Sequence, residues 1–218
     1  MRTLERRLLY VQYGCGQHSP SSWLNYDVSP TLRLQKLPVV KHVMNWRGRL
    51  VFSPNVRYGD IRKRLPLPAE SCRAIYCSHV LEHLALNDFY VALANTYWHL
   101  EKGGIFRFVM PDLKSQVEDY LSSTSPNASI RFMEYTGLGK RSRPHGLLEI
   151  IRNVWGNSHH LWMWDEQSMR IALADVGFRQ IRRAQFNDNP DSRFHDVETP
   201  QSWGITEGYV TLGMECIK

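Results

Sequence analysis

The sequence predicts an α/β protein built on a doubly wound, parallel sheet. Short apolar runs typical of buried strands recur along the chain, and helical patterns lie between several of them. This alternation is characteristic of parallel sheets whose strands are joined by crossover helices. The run Leu8–Tyr13 ends abruptly at Gly14-Cys15-Gly16. A strand followed by a glycine turn is how α/β proteins form a nucleotide-binding crevice.

The predicted strands fall into an early and a late group. The early group consists of Leu8–Tyr13, Trp23–Tyr26, Val56–Tyr58, Ala74–Cys77 and Ile105–Val109. The late group consists of a strand near Ile181–Phe186 and a last one at Tyr209–Ile217.

Two helices are expected to carry one apolar face each. Asn87 can cap the first, whose apolar stripe runs as far as Leu100 before a glycine pair stops it. Asp165 can cap the second, and Gly177 is placed to end it. Both helices are therefore expected to pack on the sheet.

The composition is that of a globular protein with a single domain, residues 1–218. Hydrophobic residues make up 43% of the 218 positions and charged residues 22%, so the core needs no disulfides. The net charge is +6, and the arginines are scattered rather than gathered in one tail. This pattern favours a solvated basic surface, although it does not exclude nucleic acid as a partner.

Several features favour a cytoplasmic location. The four cysteines form no C-x-x-C pair, which is usual in a reducing compartment. The apolar run Leu8–Val11 is broken by Gln12, whereas the core of a secretion signal needs about 7–15 apolar residues. No stretch approaches the roughly 20 apolar residues of a membrane span. We therefore expect no membrane partner.

The segment at about 113–160 fits the strand-helix alternation poorly. It contains a serine cluster followed by proline, and then several glycines. Long insertions of this kind in compact domains are commonly lids or disordered segments. We expect this one to pass over the crevice as a lid.

The glycine turn does not match a dinucleotide site. A dinucleotide fingerprint needs a third glycine, so that the helix can pack beside the pyrophosphate, and Ser19 stands there instead. The acid at the end of the next strand is Asp27, too early for the ribose-binding acid of that pattern, which comes about 20 residues after the glycines. A ligand without a pyrophosphate does not need the third glycine.

Two acids follow consecutive predicted strands. A carboxylate at Asp27 can accept hydrogen bonds from two ribose hydroxyls, and Asp60 with the backbone of Ile61 can recognise an adenine. For either acid alone, a helix cap is the simpler explanation. Ligand-type residues at three successive strand ends favour one shared crevice.

A different chemistry is suggested by His79-x-x-Glu82-His83. This spacing matches a zinc-peptidase pattern, in which two histidines four positions apart bind the metal and the glutamate acts as the base. The pattern requires a helix, whereas here it directly follows an apolar strand. A zinc hydrolase is therefore kept as an alternative, and no residue is assigned as a metal ligand.

The ordered motifs together resemble the class I S-adenosylmethionine-dependent methyltransferases, specifically the small bacterial type-11-like group. The resemblance covers about residues 8–112 and 159–218. The motifs that carry it are Val-Gln-Tyr-Gly14-Cys15-Gly16, Trp-Leu-Asn-Tyr-Asp27, Asp60-Ile-Arg, Ser78-His79-Val-Leu-Glu82-His83, Glu101-Lys-Gly103-Gly104, Val109-Met-Pro-Asp112, His160-Leu-Trp-Met-Trp-Asp165 and Ala174-Asp-Val-Gly177-Phe178.

The resemblance implies a Rossmann-like sheet of seven strands whose last strand is antiparallel. It also implies S-adenosylmethionine as the cofactor. Its methionine part would lie over the glycine turn and near Ser78 and His79, its ribose at Asp27, and its adenine at Asp60 and Ile61. The implied cofactor-binding residues are Gln12, Tyr13, Gly14, Cys15, Gly16, Asp27, Asp60, Ile61, Ser78 and His79.

The chain departs from the family pattern at several positions. Gln12 stands where an acid usually helps to hold the methionine amino group, and a glutamine oxygen can still accept a hydrogen bond, without charge. His18 replaces the third family glycine, and Arg73 replaces an acid before the fourth strand. A non-catalytic binding module that keeps the fold is therefore a second alternative.

The acceptor of the methyl group is expected to be a small molecule, anionic or sugar-like. Tryptophans 155, 162 and 164 can stack on such a molecule, although core packing is their commoner role. Arg141, Arg143 and His145 hint at an anionic group. If transfer needs a base, the candidate catalytic residues are His79 and His160.

Overall fold

The computed structural model describes residues 9–37, 52–140, 159–206 and 208–218. Several residues that the sequence analysis singled out lie outside these ranges: Leu8, Arg141, Arg143, His145 and Trp155.

The described residues form one mixed sheet of seven strands. In sheet order the strands are β3, β2, β1, β4, β5, β7 and β6. β7 is antiparallel to both of its neighbours, while the other pairs are parallel. The strands are β1 (Leu9–Tyr13), β2 (Leu24–Asp27), β3 (Arg57–Tyr58), β4 (Cys72–Ser78), β5 (Leu100–Pro111), β6 (Arg179–Arg183) and β7 (Thr211–Ile217). The predicted fold class is confirmed.

Five α-helices and three 3-10 turns connect the strands within the described ranges. The helices are α1 (Pro30–Gln35), α2 (Leu86–His99), α3 (Leu113–Ser122), α4 (Ala128–Tyr135) and α5 (Glu166–Val176). The 3-10 turns are Ile61–Lys63, Leu81–His83 and Ser192–Asp196. None of these helices is long and apolar enough to cross a membrane.

The predicted ends of α5 are confirmed. The side chain of Asp165 accepts from the backbone N–H of Ser168, and the Ser168 side chain faces the Asp165 backbone in return, which makes a capping box. Gly177 ends the helix in the left-handed conformation, with φ at 110°.

The predicted ends of α2 are wrong. The helix begins at Leu86 with Ala85 as its N-cap, so Asn87 lies inside the first turn. Leu100 is already the first residue of β5. The glycine pair lies within that strand, where the N–H of Gly103 donates to the carbonyl of Lys218 at 3.0 Å. The glycines therefore serve pairing with the end of the chain, and they do not stop the helix.

The predicted excursion after β5 is helical where it is described. It contains α3 and α4, which contact each other through Tyr120 and Phe132, with ring centroids 5.4 Å apart. The amphipathic patterns of these helices are short and broken by the serine cluster, which explains why the sequence suggested an irregular segment. Its role as a lid stays a prediction.

Both faces of the sheet are buried, and alternate residues of the central strands fill them. Val11, Ile75 and Phe106 face α2 and α5, together with the apolar stripes of those helices. Tyr10 and Tyr76 point to the opposite face, where Trp23, Phe194 and Trp203 cover them. A central sheet packed on both faces gives rigid strand ends, and a binding site can be built on these ends.

Candidate active site

The carboxyl ends of β1, β2 and β4 meet at one edge of the sheet. The register places Tyr13 beside Tyr26 and Gln12 beside both Asn25 and Tyr76. The glycine turn follows β1 directly, while Asp27 and Ser78 are the last residues of β2 and β4. The structure therefore brings together the turn, the first acid and the segment after β4, as the sequence analysis expected.

The two glycines of the turn have different environments. Both have positive φ, 65° at Gly14 and 53° at Gly16. A Cβ on Gly14 would lie 2.2 Å from Cγ2 of Val80, whereas a Cβ on Gly16 would meet no atom within 4 Å. Gly14 is needed for packing against the segment after β4. Gly16 leaves open space in front of the backbone, which suits the close approach of a ligand.

Asp27 is built into the turn itself. One carboxylate oxygen accepts from the N–H of Gly16 at 3.0 Å, and the other accepts from the N–H of Ser29 at 2.7 Å. Each carboxylate oxygen has a second lone pair. Asp27 is thus able to accept from a ribose while it holds the glycine turn in place.

Asp60 is held by its own neighbour. Arg62 donates to both of its oxygens, at 2.9 Å each, and Asp60 also caps the 3-10 turn that starts at Ile61. Burial opposes ionisation of this carboxyl, but the hydrogen bonds and the charge of Arg62 outweigh it and lower its pKa. The capping explanation raised from the sequence thus describes Asp60. Ile61 is buried in the core.

Gln12 carries an unsatisfied polar atom. The residue is 3% exposed, and its Oε1 has no hydrogen-bond partner among the described residues. Leaving a buried acceptor unpaired costs about 1–3 kcal/mol, so a donor from a ligand would be stabilised there.

Burial raises the pKa of the neighbouring Cys15 thiol to about 12, so this cysteine is not a nucleophile at neutral pH.

His79 is held at both ring nitrogens. Nδ1 lies 3.2 Å from Oε1 of Glu82, and Nε2 lies 2.8 Å from the carbonyl oxygen of Ser202. A carbonyl can only accept, so Nε2 donates to Ser202. These contacts fix the ring and favour a positioning role over that of a base.

The helix required by the zinc-peptidase pattern is not present at His79. Ser78 is the last residue of β4, His79 has a positive φ of 51°, and only Leu81–His83 form a 3-10 turn. The two histidines of the pattern are therefore not on one helical face. The zinc-hydrolase alternative loses its structural basis.

A cavity of about 400 Å³ lies next to His79. Its wall also includes the residues just before β7, the helices α3 and α4, and His160. The lining residues are His79, Pro111, Ser115, Gln116, Asp119, Arg131, Phe132, Glu134, Tyr135, His160, Gly208, Tyr209 and Val210. Most of these residues belong to no sequence motif, because α3 and α4 lie in the segment that the sequence predicts to be irregular.

His160 reaches this wall from the segment before α5. Its Nδ1 donates to the carbonyl of Thr136, at 2.7 Å, and its ring contacts that of His83 at a centroid distance of 4.8 Å. Burial lowers the pKa of His160, which opposes protonation. Trp164 has the core role that is commoner for tryptophans, because it is buried and stacks on Phe89 with ring centroids 4.2 Å apart.

Comparison with known families identifies the region that forms the crevice. Residues 11–108 match the family described as "Methyltransferase domain". The matched segment is similar to this family, and it includes the glycine turn, Asp27 and the end of β4. The match confirms the resemblance to the class I, type-11 methyltransferases, and with it the predicted enzyme class and its cofactor, S-adenosylmethionine. A comparison with curated proteins gave no match.

Solved structures of methyltransferases align with most of this chain, and the first of those named below has a TM-score above 0.5. One from Thermotoga maritima, described as a possible histamine N-methyltransferase, is 15% identical and aligns over 96% of this chain and 82% of its own, with a TM-score of 0.52. One from Mesorhizobium loti is 17% identical and aligns over 97% and 91%, with a TM-score of 0.48. A putative methyltransferase from Haloferax volcanii, solved with its Trm112 activator, is 15% identical and aligns over 98% and 85%, with a TM-score of 0.48. Identities this low bear on the fold alone.

The residues at the glycine turn fit the cofactor. S-adenosylmethionine carries an ammonium group on its methionine part, and the orphaned Oε1 of Gln12 is an acceptor with no partner in the described chain. The open space at Gly16 leaves room for the methionine backbone nearby. When bound, the cofactor supplies an electrophilic methyl group on a sulfonium.

Proposed function

We propose that this protein transfers the methyl group of S-adenosylmethionine to a small polar molecule that binds in the 400 Å³ cavity. One observation carries the proposal. His79 follows β4 directly and also lines the cavity. The cavity therefore lies beside the carboxyl end of β4, which is also next to the cofactor crevice. Cofactor and acceptor sites that meet at one residue suit an in-line transfer.

The proposed cofactor site keeps the residues expected from the sequence. The backbone of Tyr13, Gly14, Cys15 and Gly16 would lie under the methionine part, with Gln12 as the acceptor for its ammonium group. Asp27 would hold the ribose. Asp60 and Ile61 would border the adenine, and Ser78 and His79 the methyl group. The open face at Gly16 and the unpaired oxygen of Gln12 support this arrangement.

The cavity wall favours a polar acceptor of small size. Binding cavities for small molecules commonly measure about 300–1,000 Å³, and this one lies near the lower end of that range. Arg131 offers a partner for an anionic group, while Asp119 and Glu134 can accept from hydroxyls. Phe132 and Tyr135 provide ring faces for stacking. These groups fit an anionic or sugar-like acceptor.

Catalysis would depend mainly on alignment. The acceptor atom forms a bond to the methyl carbon as the bond from carbon to sulfur breaks, and the acceptor loses its proton. Holding the reactants in line contributes up to about 7–11 kcal/mol in well-oriented cases. His79, fixed at both nitrogens, would orient this end of the cavity. Of the two histidines predicted to be catalytic, His160 is the better placed to contact the acceptor, because its Nδ1 is used by Thr136 and its Nε2 is left to accept.

Transfer of labelled methyl groups tests the proposal. The full chain is incubated with methyl-labelled S-adenosylmethionine and a cell extract, and the products are separated by size. We expect label in the small-molecule fraction, and S-adenosylhomocysteine should suppress it. Label in protein or nucleic acid alone would contradict the small acceptor. A chain that binds S-adenosylhomocysteine but labels nothing would instead be the non-catalytic binding module.

The variant Arg131→Gln tests the class of acceptor. If Arg131 pairs with an anionic group, the variant should raise KM for the acceptor by at least about tenfold, because a hydrogen bond to a charged group contributes about 1.5–3 kcal/mol. The affinity for S-adenosylhomocysteine should stay within about twofold of the parent. An unchanged KM would remove the anionic group from the proposal.

A further inference from the structure

We propose that Glu82, His83 and His160 form a binding site for one divalent cation, zinc in the first place, in the wall of the acceptor cavity. Cation binding would depend on these three residues and not on methyl transfer. Only the position of the cation beside the methyl acceptor rests on the proposed function. His160 borders the cavity, while Glu82 and His83 lie behind it in the 3-10 turn after β4.

The three side chains are close enough to share an ion. One potential ligand atom from each lies within 4.8 Å of the other two. Two ligands bound to one zinc ion at about 2.1 Å lie roughly 3.4 Å apart in tetrahedral geometry, so movements on the order of 1 Å would close the site. Histidine nitrogen and carboxylate oxygen are both usual zinc ligands.

Each histidine is held in the orientation that metal ligands usually have. Nδ1 of His83 lies 3.0 Å from the carbonyl of His159, and Nδ1 of His160 lies 2.7 Å from the carbonyl of Thr136. Because a carbonyl can only accept, both Nδ1 atoms carry the proton. The Nε2 atom of each neutral ring then keeps its lone pair. Histidines that bind metals characteristically donate their other ring N–H to a carbonyl or carboxylate in this way.

Glu82 is a buried carboxylate with one oxygen unsatisfied. The residue is 1% exposed, and its Oε2 has no hydrogen-bond partner among the described residues. Its Oε1 faces Nδ1 of His79 at 3.2 Å. Buried charges are normally paired or bound to metal, so a cation at Oε2 would remove an unfavourable feature of the structure. His79 would remain next to Glu82 and would not itself bind the ion, since both of its ring nitrogens already have contacts.

The backbone fixes the distance between the two segments of the site. The carbonyl of Glu82 accepts from the N–H groups of Leu161 and Trp162, at 2.7 and 3.1 Å. The N–H of His160 donates to the carbonyl of Gly137 at 3.3 Å. A Cβ on Gly137 would lie 2.6 Å from Nδ1 of His160, so the close approach of backbone and ring depends on the glycine. These contacts bring His160 to Glu82 before any ion binds.

Three protein ligands leave a fourth position in tetrahedral zinc coordination, which is the arrangement of catalytic rather than structural zinc sites. In this protein the fourth position would lie at the cavity wall, next to His160. A hydroxyl or thiol acceptor bound there would be oriented by the ion. In the metal-bound protein, Nε2 of His160 would be a ligand, so the proton of the acceptor would pass to solvent and not to His160.

Metal analysis of the full chain tests the site. The purified protein is stripped with a chelator, incubated with Zn²⁺, desalted, and measured by inductively coupled plasma mass spectrometry. We expect one zinc per chain, and Co²⁺ in place of Zn²⁺ should give the absorption bands of a tetrahedral site. His83→Ala and His160→Ala should each weaken zinc binding by at least about 100-fold, since even supporting residues outside the coordination sphere contribute roughly 10–100-fold.

His159→Ala is the matched control. This histidine is adjacent to His160 but contributes only its backbone carbonyl, which the variant keeps. It should bind zinc as the parent does. A thermal shift with S-adenosylhomocysteine verifies that every variant is folded. A parent protein that binds S-adenosylhomocysteine but neither zinc nor cobalt would overturn the metal site and leave the proposed function standing. A protein that binds zinc but transfers no methyl group would overturn the proposed function and leave the metal site standing.

Discussion

Two groups of buried polar residues in this protein differ in how completely they are satisfied. Arg107, on β5, is fully buried and donates to Glu198, to Asp188 at 2.8 Å and to Glu215 at 2.9 Å. At the carboxyl ends of β1 and β4, by contrast, Oε1 of Gln12 and Oε2 of Glu82 have no partner within the described chain.

The contrast separates structural polar groups from those that suit a ligand. The Arg107 cluster contains charges of both signs, which pair with one another without a ligand. It links β5 to β7 and to the segment between β6 and β7. Gln12 and Glu82 each present an acceptor that only a donor or a cation can satisfy. Because they lie at the edge where α/β proteins bind ligands, we assign one to the cofactor and the other to a metal.

Removal of Arg107 should have the largest effect of all. Arg107→Ala leaves buried carboxylates without their cation, which typically costs 3–5 kcal/mol when a buried pair is broken. For a chain of this size the melting temperature should fall by roughly 6–20 °C. Urea denaturation gives the change in the free energy of unfolding. Arg73→Ala is the control, since the pair of Arg73 with Glu101 is largely exposed and contributes at most about 1 kcal/mol. Equal effects of the two variants would contradict the assignment of the Arg107 cluster as structural.

Substitutions in the glycine turn should separate packing from backbone strain. Gly14→Ala places a Cβ against Val80 and also strains a positive φ, so we expect a loss of about 2–3 kcal/mol in stability and at least tenfold in affinity for S-adenosylhomocysteine. Gly16→Ala meets no neighbouring atom and should cost only the strain of about 1–2 kcal/mol. Unfolding by urea and calorimetric titration give the two quantities. If Gly16→Ala proved the more destabilising of the two, the contact with Val80 would not explain Gly14.

The free energy of unfolding at low pH tests the contribution of one member of the Arg107 cluster, Asp188. Burial opposes ionisation of Asp188, but hydrogen bonds from Arg182 and Arg107, among others, outweigh it and lower the pKa to about 2. A carboxyl with a depressed pKa stabilises the folded state above its unfolded pKa of 3.8, and this contribution is lost as the pH falls from about 4 to about 2. Asp188→Asn should therefore be less stable than the parent near pH 6, with the difference shrinking towards pH 2. A difference that is constant with pH would show that Asp188 ionisation is not the cause.

Local sequence signals predicted much of the fold but less of the site. The strand runs, the Asp165 cap and the Gly177 stop depend on neighbouring residues, and the structure confirms them. Arg107 interrupts an apolar strand, and nothing near it in the sequence reveals that its partners are Asp188, Glu198 and Glu215. His83 and His160 likewise come together only in the folded protein, since they are far apart in the sequence. Contacts between residues far apart in sequence need the tertiary structure.

The cofactor site also shows where local reasoning stops. Asp60 was expected at an adenine, and its position at a strand end is as predicted. Its pairing with Arg62, two residues away, depends on the conformation of the arginine side chain, which no pattern specifies. The turn at Gly14 and Gly16 was predictable, because positive φ favours glycine at both positions.

The central claim is that unsatisfied polar atoms at the carboxyl edge of the sheet mark ligand sites, and Gln12→Met tests it most directly. Methionine has nearly the same shape and lacks the amide oxygen. We predict that its free energy of unfolding equals or exceeds that of the parent, because an unpaired buried acceptor is gone. Calorimetric titration should show that its affinity for S-adenosylhomocysteine falls by about tenfold, the value of one hydrogen bond of roughly 1.4 kcal/mol. A variant that loses stability but binds S-adenosylhomocysteine as tightly as the parent would show that Gln12 belongs to the structure and not to the ligand.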